Sequence, residues 1–117
     1  MNFDFDAYVT TALFDRAGRA SFALGDGSVR FEGGEQVEAH DGAVLSACLP
    51  VAGEGILTGG DDGRVVLSTA AGATELAKVP GRWIEAVAAS SDSKLIAFAA
   101  GRELHVRDPA DAAFARV

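Results

Sequence analysis

Two Asp-Gly turns, Asp26-Gly27 and Asp62-Gly63, stand 36 residues apart, and each lies between short apolar runs. Asp-Gly in that setting is a strong local signal for a β-hairpin, because glycine accepts the positive φ that the turn requires. The flanking segments repeat along with the turns. Three units share one plan, at residues 8–38, 43–79 and 84–117. Each unit opens with an apolar run, at 9–14, 43–49 and 84–89, followed by a polar turn at 15–18, 52–55 and 90–93. A second strand is expected at 20–24, 55–58 and 95–99, and a third, alternating apolar and polar, at 28–31, 64–67 and 103–106. A weaker fourth segment closes each unit, at 36–39, 74–79 and 112–117. Val65 and Leu104 lie 39 residues apart, close to the period of about 40 of a four-stranded repeat.

Two stretches carry helical features as well. The segment 69–78 is rich in alanine, and Asp108-Pro109 has the form of a helix N-cap followed by Pro at the first helical position. The repeat places strands at 69–78 and 108–115, so both are read as outer strands. Residues 1–7, with Phe3 and Phe5 alternating with Asn2, Asp4 and Asp6, are read as a lone N-terminal strand. The opening runs are rich in Ala, Ser, Thr and Val, which suits inner strands packed near a crowded axis with sheets on both sides.

The second unit carries a family resemblance. His40-Asp41-Gly42-Ala43-Val44-Leu45-Ser46 resembles the opening of a WD repeat, and residues 57–67, Leu-Thr-Gly-Gly-Asp-Asp-Gly-Arg-Val-Val-Leu, resemble its second strand, turn and third strand. In that family a His before the first strand, a Ser or Thr on the second and an Asp in the following turn form a hydrogen-bond network. The resemblance assigns those roles to His40, Thr58 and Asp62. It departs from the family pattern at Ser68, where a Trp is expected, and at Arg107, which stands in place of Trp before Asp108; no His precedes Ile84. The implied fold is all-β, a β-propeller-like array of about three four-stranded antiparallel blades in an incomplete ring. A closed propeller needs about four blades or more. The ring is therefore expected to be completed by further blades of a longer chain or by homo-oligomerisation.

Composition narrows the function. Apolar residues make up 49% of 117 residues, enough for a sizeable core and against disorder. The net charge of −7 disfavours a phosphate-backbone partner, and no Lys/Arg run marks an anionic membrane. The acidic N-terminus lacks the features of a signal peptide, and no apolar stretch is long enough to span a bilayer, so a cytoplasmic protein without membrane contact is expected. Cys48 is the single cysteine and lies in an apolar run, which suits a buried, inert thiol.

No motif supplies chemistry. His40 and His105 have no further ligand at zinc-like spacing. Asn2, Asp4 and Asp6 copy the start of a calcium loop, but Ala7 and Leu13 occupy the positions where that loop needs Gly and Glu. Gly25-Asp26-Gly27 has Arg30 in place of the third Gly of a dinucleotide fingerprint, and neither a phosphate-binding Gly-Lys-Ser/Thr nor a Gly-x-Ser-x-Gly elbow occurs. Asp61 and Asp62 read as turn residues. No catalytic, cofactor or metal site is expected. Arg82 and Trp83, in the loop before the third unit, are the residue types favoured at binding hot spots. The expected function is a non-catalytic protein–protein interaction scaffold of WD-like repeats, part of a larger propeller. The alternative is a fragment of a propeller-type hydrolase or lactonase.

Overall fold

A computed structural model describes residues 2–108 and 113–117. The described residues form strands and turns with no helix. The first sheet is β1 (Val9–Phe14), β2 (Ala20–Leu24), β3 (Ser28–Phe31) and β4 (Gln36–Glu38). The second is β5 (Val44–Cys48), β6 (Ile56–Gly60), β7 (Arg64–Thr69) and β8 (Gly72–Lys78). The third is β9 (Ile84–Ala89), β10 (Ile96–Ala100), β11 (Glu103–Arg107) and β12 (Ala115–Arg116). Each is a four-stranded antiparallel sheet in which neighbours in sequence are neighbours in space.

The turn glycines earn their positions by geometry. Gly27 and Gly63 have φ of 90° and 79°, and a Cβ on either would run into the backbone carbonyl of His40 or Val79. Their own carbonyls bind the end of the fourth strand: Gly27 accepts from the His40 N–H at 3.0 Å, and Gly63 from the Val79 N–H at 2.8 Å. The alanine-rich segment is strand rather than helix, because β8 pairs with β7 from Arg64 opposite Lys78 to Thr69 opposite Gly72. Of the expected strand over 108–115, residues 109–112 lie outside the described residues. Ala115 pairs with Val106 and Arg116 with His105.

The opening strand of every sheet is bulged at the same place. The register jumps from Val9 to Thr11 in β1, from Val44 to Ser46 in β5, and from Ile84 to Ala86 in β9. A bulge sets two residues against one and reverses the side on which the following residues lie. Val44 therefore faces the first sheet, whereas Ser46 faces the third and donates its hydroxyl to the Ile84 carbonyl at 3.2 Å.

The sheets stack in chain order, with β5 packed against β1 and β9. Between the first and second sheets lie Ala23, Val29, Phe31, Val37, Val44, Ile56 and Val66. Between the second and third lie Leu57, Val65, Ile84, Ile96 and Phe98. The middle sheet is covered on both faces, which is why all of β6 is buried. Full burial of a side chain such as Ile84 or Phe98 contributes about 1.5–3 kcal/mol. Arg64 ties the first link to the second sheet, donating from Nη1 to the Ala39 carbonyl at 2.9 Å and from Nε to Glu75 at 2.6 Å.

Asn2 to Ala7, expected as a lone strand, has no ladder partner among the described residues. Instead Phe3 and Phe5 lay their rings on Phe22, each at 5.2 Å between centroids, over the outer face of the first sheet. Arg30 stacks on Phe5 at 5.6 Å and pairs with Asp6 at 3.6 Å. The alternation of Phe with polar residues puts both rings on one side of an extended backbone, and Phe22 supplies apolar surface for them.

Candidate functional site

The structure brings His40, Thr58 and Asp62 into one hydrogen-bonded chain. His40 leads into β5, Thr58 is central in β6, and Asp62 caps the turn that follows. His40 Nδ1 lies 2.9 Å from Asp62 Oδ1, and Nε2 lies 2.8 Å from Thr58 Oγ1. Asp62 also accepts from the backbone N–H of Asp41 at 3.0 Å and of Arg64 at 3.1 Å. Burial raises the tendency of Asp62 to stay protonated, but the donors from His40, Asp41 and Arg64 outweigh it and hold the carboxyl below its ordinary value. With Asp62 ionised, Nδ1–H donates to it and Nε2 faces the threonine hydroxyl.

The order carboxylate, imidazole, hydroxyl matches that of a nucleophilic triad. Thr58 is 0% exposed, however, so a substrate carbonyl has no approach to its hydroxyl. What the chain of bonds does is join the lead-in of the second sheet to its second strand and turn. Ser68, where the family pattern places Trp, is buried, and its hydroxyl has no hydrogen-bond partner among the described residues.

Arg82 and Trp83 lie elsewhere, before β9, on the rim where the opening strands begin. Trp83 is 60% exposed. Arg82 reaches the Ala100 carbonyl at 3.5 Å and Glu103 at 3.8 Å. Glu103 also accepts from His105 at 3.3 Å and from Arg116 at 3.1 Å. Its carboxyl sits below its ordinary value, chiefly through the His105 bond and then through the charges of Arg116 and Arg82.

Sequence reading missed Tyr8. Val9, Val44 and Ile84 are the first residues of the three bulged strands, so Tyr8, Ala43 and Trp83 occupy one position in the three repeats. Tyr8 is 89% exposed and borders a cavity of about 310 Å³ lined by Phe5, Asp6, Ala7 and itself. The bulged residues on the same rim are Thr10, Leu45 and Glu85, and Leu45 is exposed. Aligning the repeats on the first residue of each opening strand is the signal that finds the Tyr8–Trp83 pair.

Among the described residues, no group of three or more His, Cys, Asp or Glu side chains is placed to hold a metal ion. No helix among them is long and apolar enough to cross a membrane. Cys48 is half-buried, and burial pushes its thiol up to about 11. Comparison with known protein families finds no matching family model, and comparison with curated proteins finds no match.

Proposed function

We propose that this chain is a non-catalytic protein-binding module built from WD-like repeats, its three sheets serving as blades of a larger propeller. The carrying observation is the recurrence of an exposed aromatic, Tyr8 and Trp83, at one repeat position on one rim. Aromatic residues that stay exposed on a rigid scaffold are the usual anchors of protein interfaces. Bulges at that rim re-aim side chains, and Arg82 stands beside Trp83 with its guanidinium braced by Glu103. The partner is another protein, and the ring is completed by further blades of a longer chain or by other copies.

The test is affinity capture with the wild-type chain and with Tyr8→Ala and Trp83→Ala variants that retain the same β-sheet circular dichroism. A partner lost from both variants supports the module. Equal capture by all three proteins refutes the rim as the binding site. A stoichiometric divalent ion in the purified protein would instead favour the hydrolase or lactonase alternative.

A further inference from the structure

The chain carries two outer sheet faces that match each other. We infer that the open face of the third sheet docks the first sheet of a second copy of this chain, head to tail.

The rule for the interface is visible twice inside the molecule. The first residue of an opening strand is β-branched and seats on a small residue of the preceding sheet. Ile84 is 0% exposed and sits so close to Gly59 that an added Cβ there would meet Ile84 Cγ2 at 2.5 Å. Val44, also 0% exposed, shares a core cluster with Ala23. Gly59 pairs with Ser46 just after the bulge, and Ala23 pairs with Thr11 in the same register. The equivalent residue of the third sheet is Ala99, which pairs with Ala86. The equivalent of Val44 and Ile84 in the first sheet is Val9, β-branched and 46% exposed. The knob and the hole are both present, at opposite ends of one stack.

The surroundings agree. Beside Ala99 the third sheet presents Ala86, Ala88, Ala97, Leu104 and Val106, none of them charged, with Leu104 44% exposed. These positions correspond to Ser46, Cys48, Leu57, Val65 and Leu67 of the second sheet, where the third sheet is seated. The outer face of the first sheet offers Val9, Phe14 and Phe22, with Phe14 71% exposed. Arg30 on this face is met within its own sheet by Asp26 at 3.4 Å and by the Ser28 hydroxyl at 3.0 Å, and Glu38, at the edge strand of the same face, accepts from the Gln36 amide at 2.7 Å.

The N-terminal strap competes for that face. Phe3 and Phe5 cover Phe22 without a backbone ladder, and their one ion pair uses an Asp6 whose side chain is 88% exposed. A docking copy must lift this strap, so removing its aromatic rings strengthens the association. The contact is heterologous: each docked pair keeps one free face of each kind, which leads to longer stacks or a closed ring.

The test uses Val9→Cys and Ala99→Cys proteins in a Cys48→Ala background, oxidised singly and as a mixture. The expected result is a disulfide-linked band at twice the 12.0 kDa chain mass in the mixture and not in either protein alone. Adding Phe3→Ser and Phe5→Ser to the Val9→Cys partner raises the yield several-fold. A band of equal strength in either single protein overturns the head-to-tail geometry. Strictly monomeric protein in every sample, with β-sheet circular dichroism intact, also overturns the proposal and leaves the face to a further sheet. The inference does not rest on the partner-binding reading: Trp83→Ala abolishes capture at the rim but leaves this crosslink unchanged.

Discussion

Ile84 Cγ2 stands 2.5 Å from the position a Cβ on Gly59 would take, and the Ile84 carbonyl oxygen stands at 2.8 Å from it. Gly59 is therefore required by the approach of the third sheet and not by its own backbone angles. Gly59→Ala is expected to push β9 away and lower stability by about 1–3 kcal/mol, the usual range for overpacking. Urea unfolding measures it. A Gly59→Ala protein as stable as the wild type would mean that the second and third sheets are not packed this closely.

His40 links two groups that cannot easily lose it. Removing the imidazole leaves the fully buried Thr58 hydroxyl without its nearest partner and takes one donor from Asp62. Thr58 keeps the Val66 carbonyl at 3.3 Å, so what is lost is the two bonds of the imidazole; at about 0.5–1.5 kcal/mol each, His40→Ala is expected to lose about 1–3 kcal/mol in thermal or urea unfolding. An unchanged midpoint would remove the structural role assigned to the network.

The parts of this architecture that sequence reading finds are those set by local chemistry. Asp-Gly turns and alternating strands place nearly every element within one or two residues, because a turn needing positive φ has few sequence solutions. The bulges are not legible, since Val44-Leu45-Ser46 reads as ordinary strand and only pairing with β6 exposes the skipped residue. Tyr8 escapes for a related reason: its counterpart in the middle unit is Ala43, so no aromatic motif repeats along the whole chain. The place of the N-terminal segment is not legible either, because Phe-Asp-Phe alternation looks the same whether an extended backbone joins a ladder or only lays its rings on Phe22.

Asp62 gives the acid limb of stability a definite sign. Its carboxyl is held below the ordinary value of 3.8 in the folded protein. The unfolded chain therefore takes up its proton first as pH falls, and the stabilisation present above pH 3.8 is lost as pH drops through the lower folded value. Asp26 behaves in the same direction, chiefly through the Ser28 hydroxyl. Asp62→Asn should be less stable than wild type at pH 7, with the gap narrowing below pH 3.8. A gap constant down to pH 2 would show that the carboxylate charge is not what the network uses.

The Cys48 thiol should be slow to react. Burial raises it from 9.0 to about 11, which lowers the thiolate population near neutral pH roughly a hundredfold. Labelling with a thiol reagent at pH 7.5 is expected to be slow in the native protein and to accelerate once urea unfolds it. Equal rates in the two states would place Cys48 on the surface.

Trp83 is the single tryptophan, so its fluorescence reports on the proposed rim alone. With 60% of the residue exposed, the indole is largely hydrated in the folded state. Native emission is expected near that of free tryptophan, moving little to the red on unfolding. Iodide should quench it in the native protein, and the Arg82 guanidinium beside it should draw the anion closer than a neutral quencher such as acrylamide. Arg82→Gln should then reduce iodide quenching without altering acrylamide quenching. Its effect on stability should be small, because Arg82 and Glu103 are partly exposed and solvent screens the pair. A blue-shifted native emission that iodide fails to quench would make Trp83 a packed loop anchor, and the rim would lose its principal binding residue.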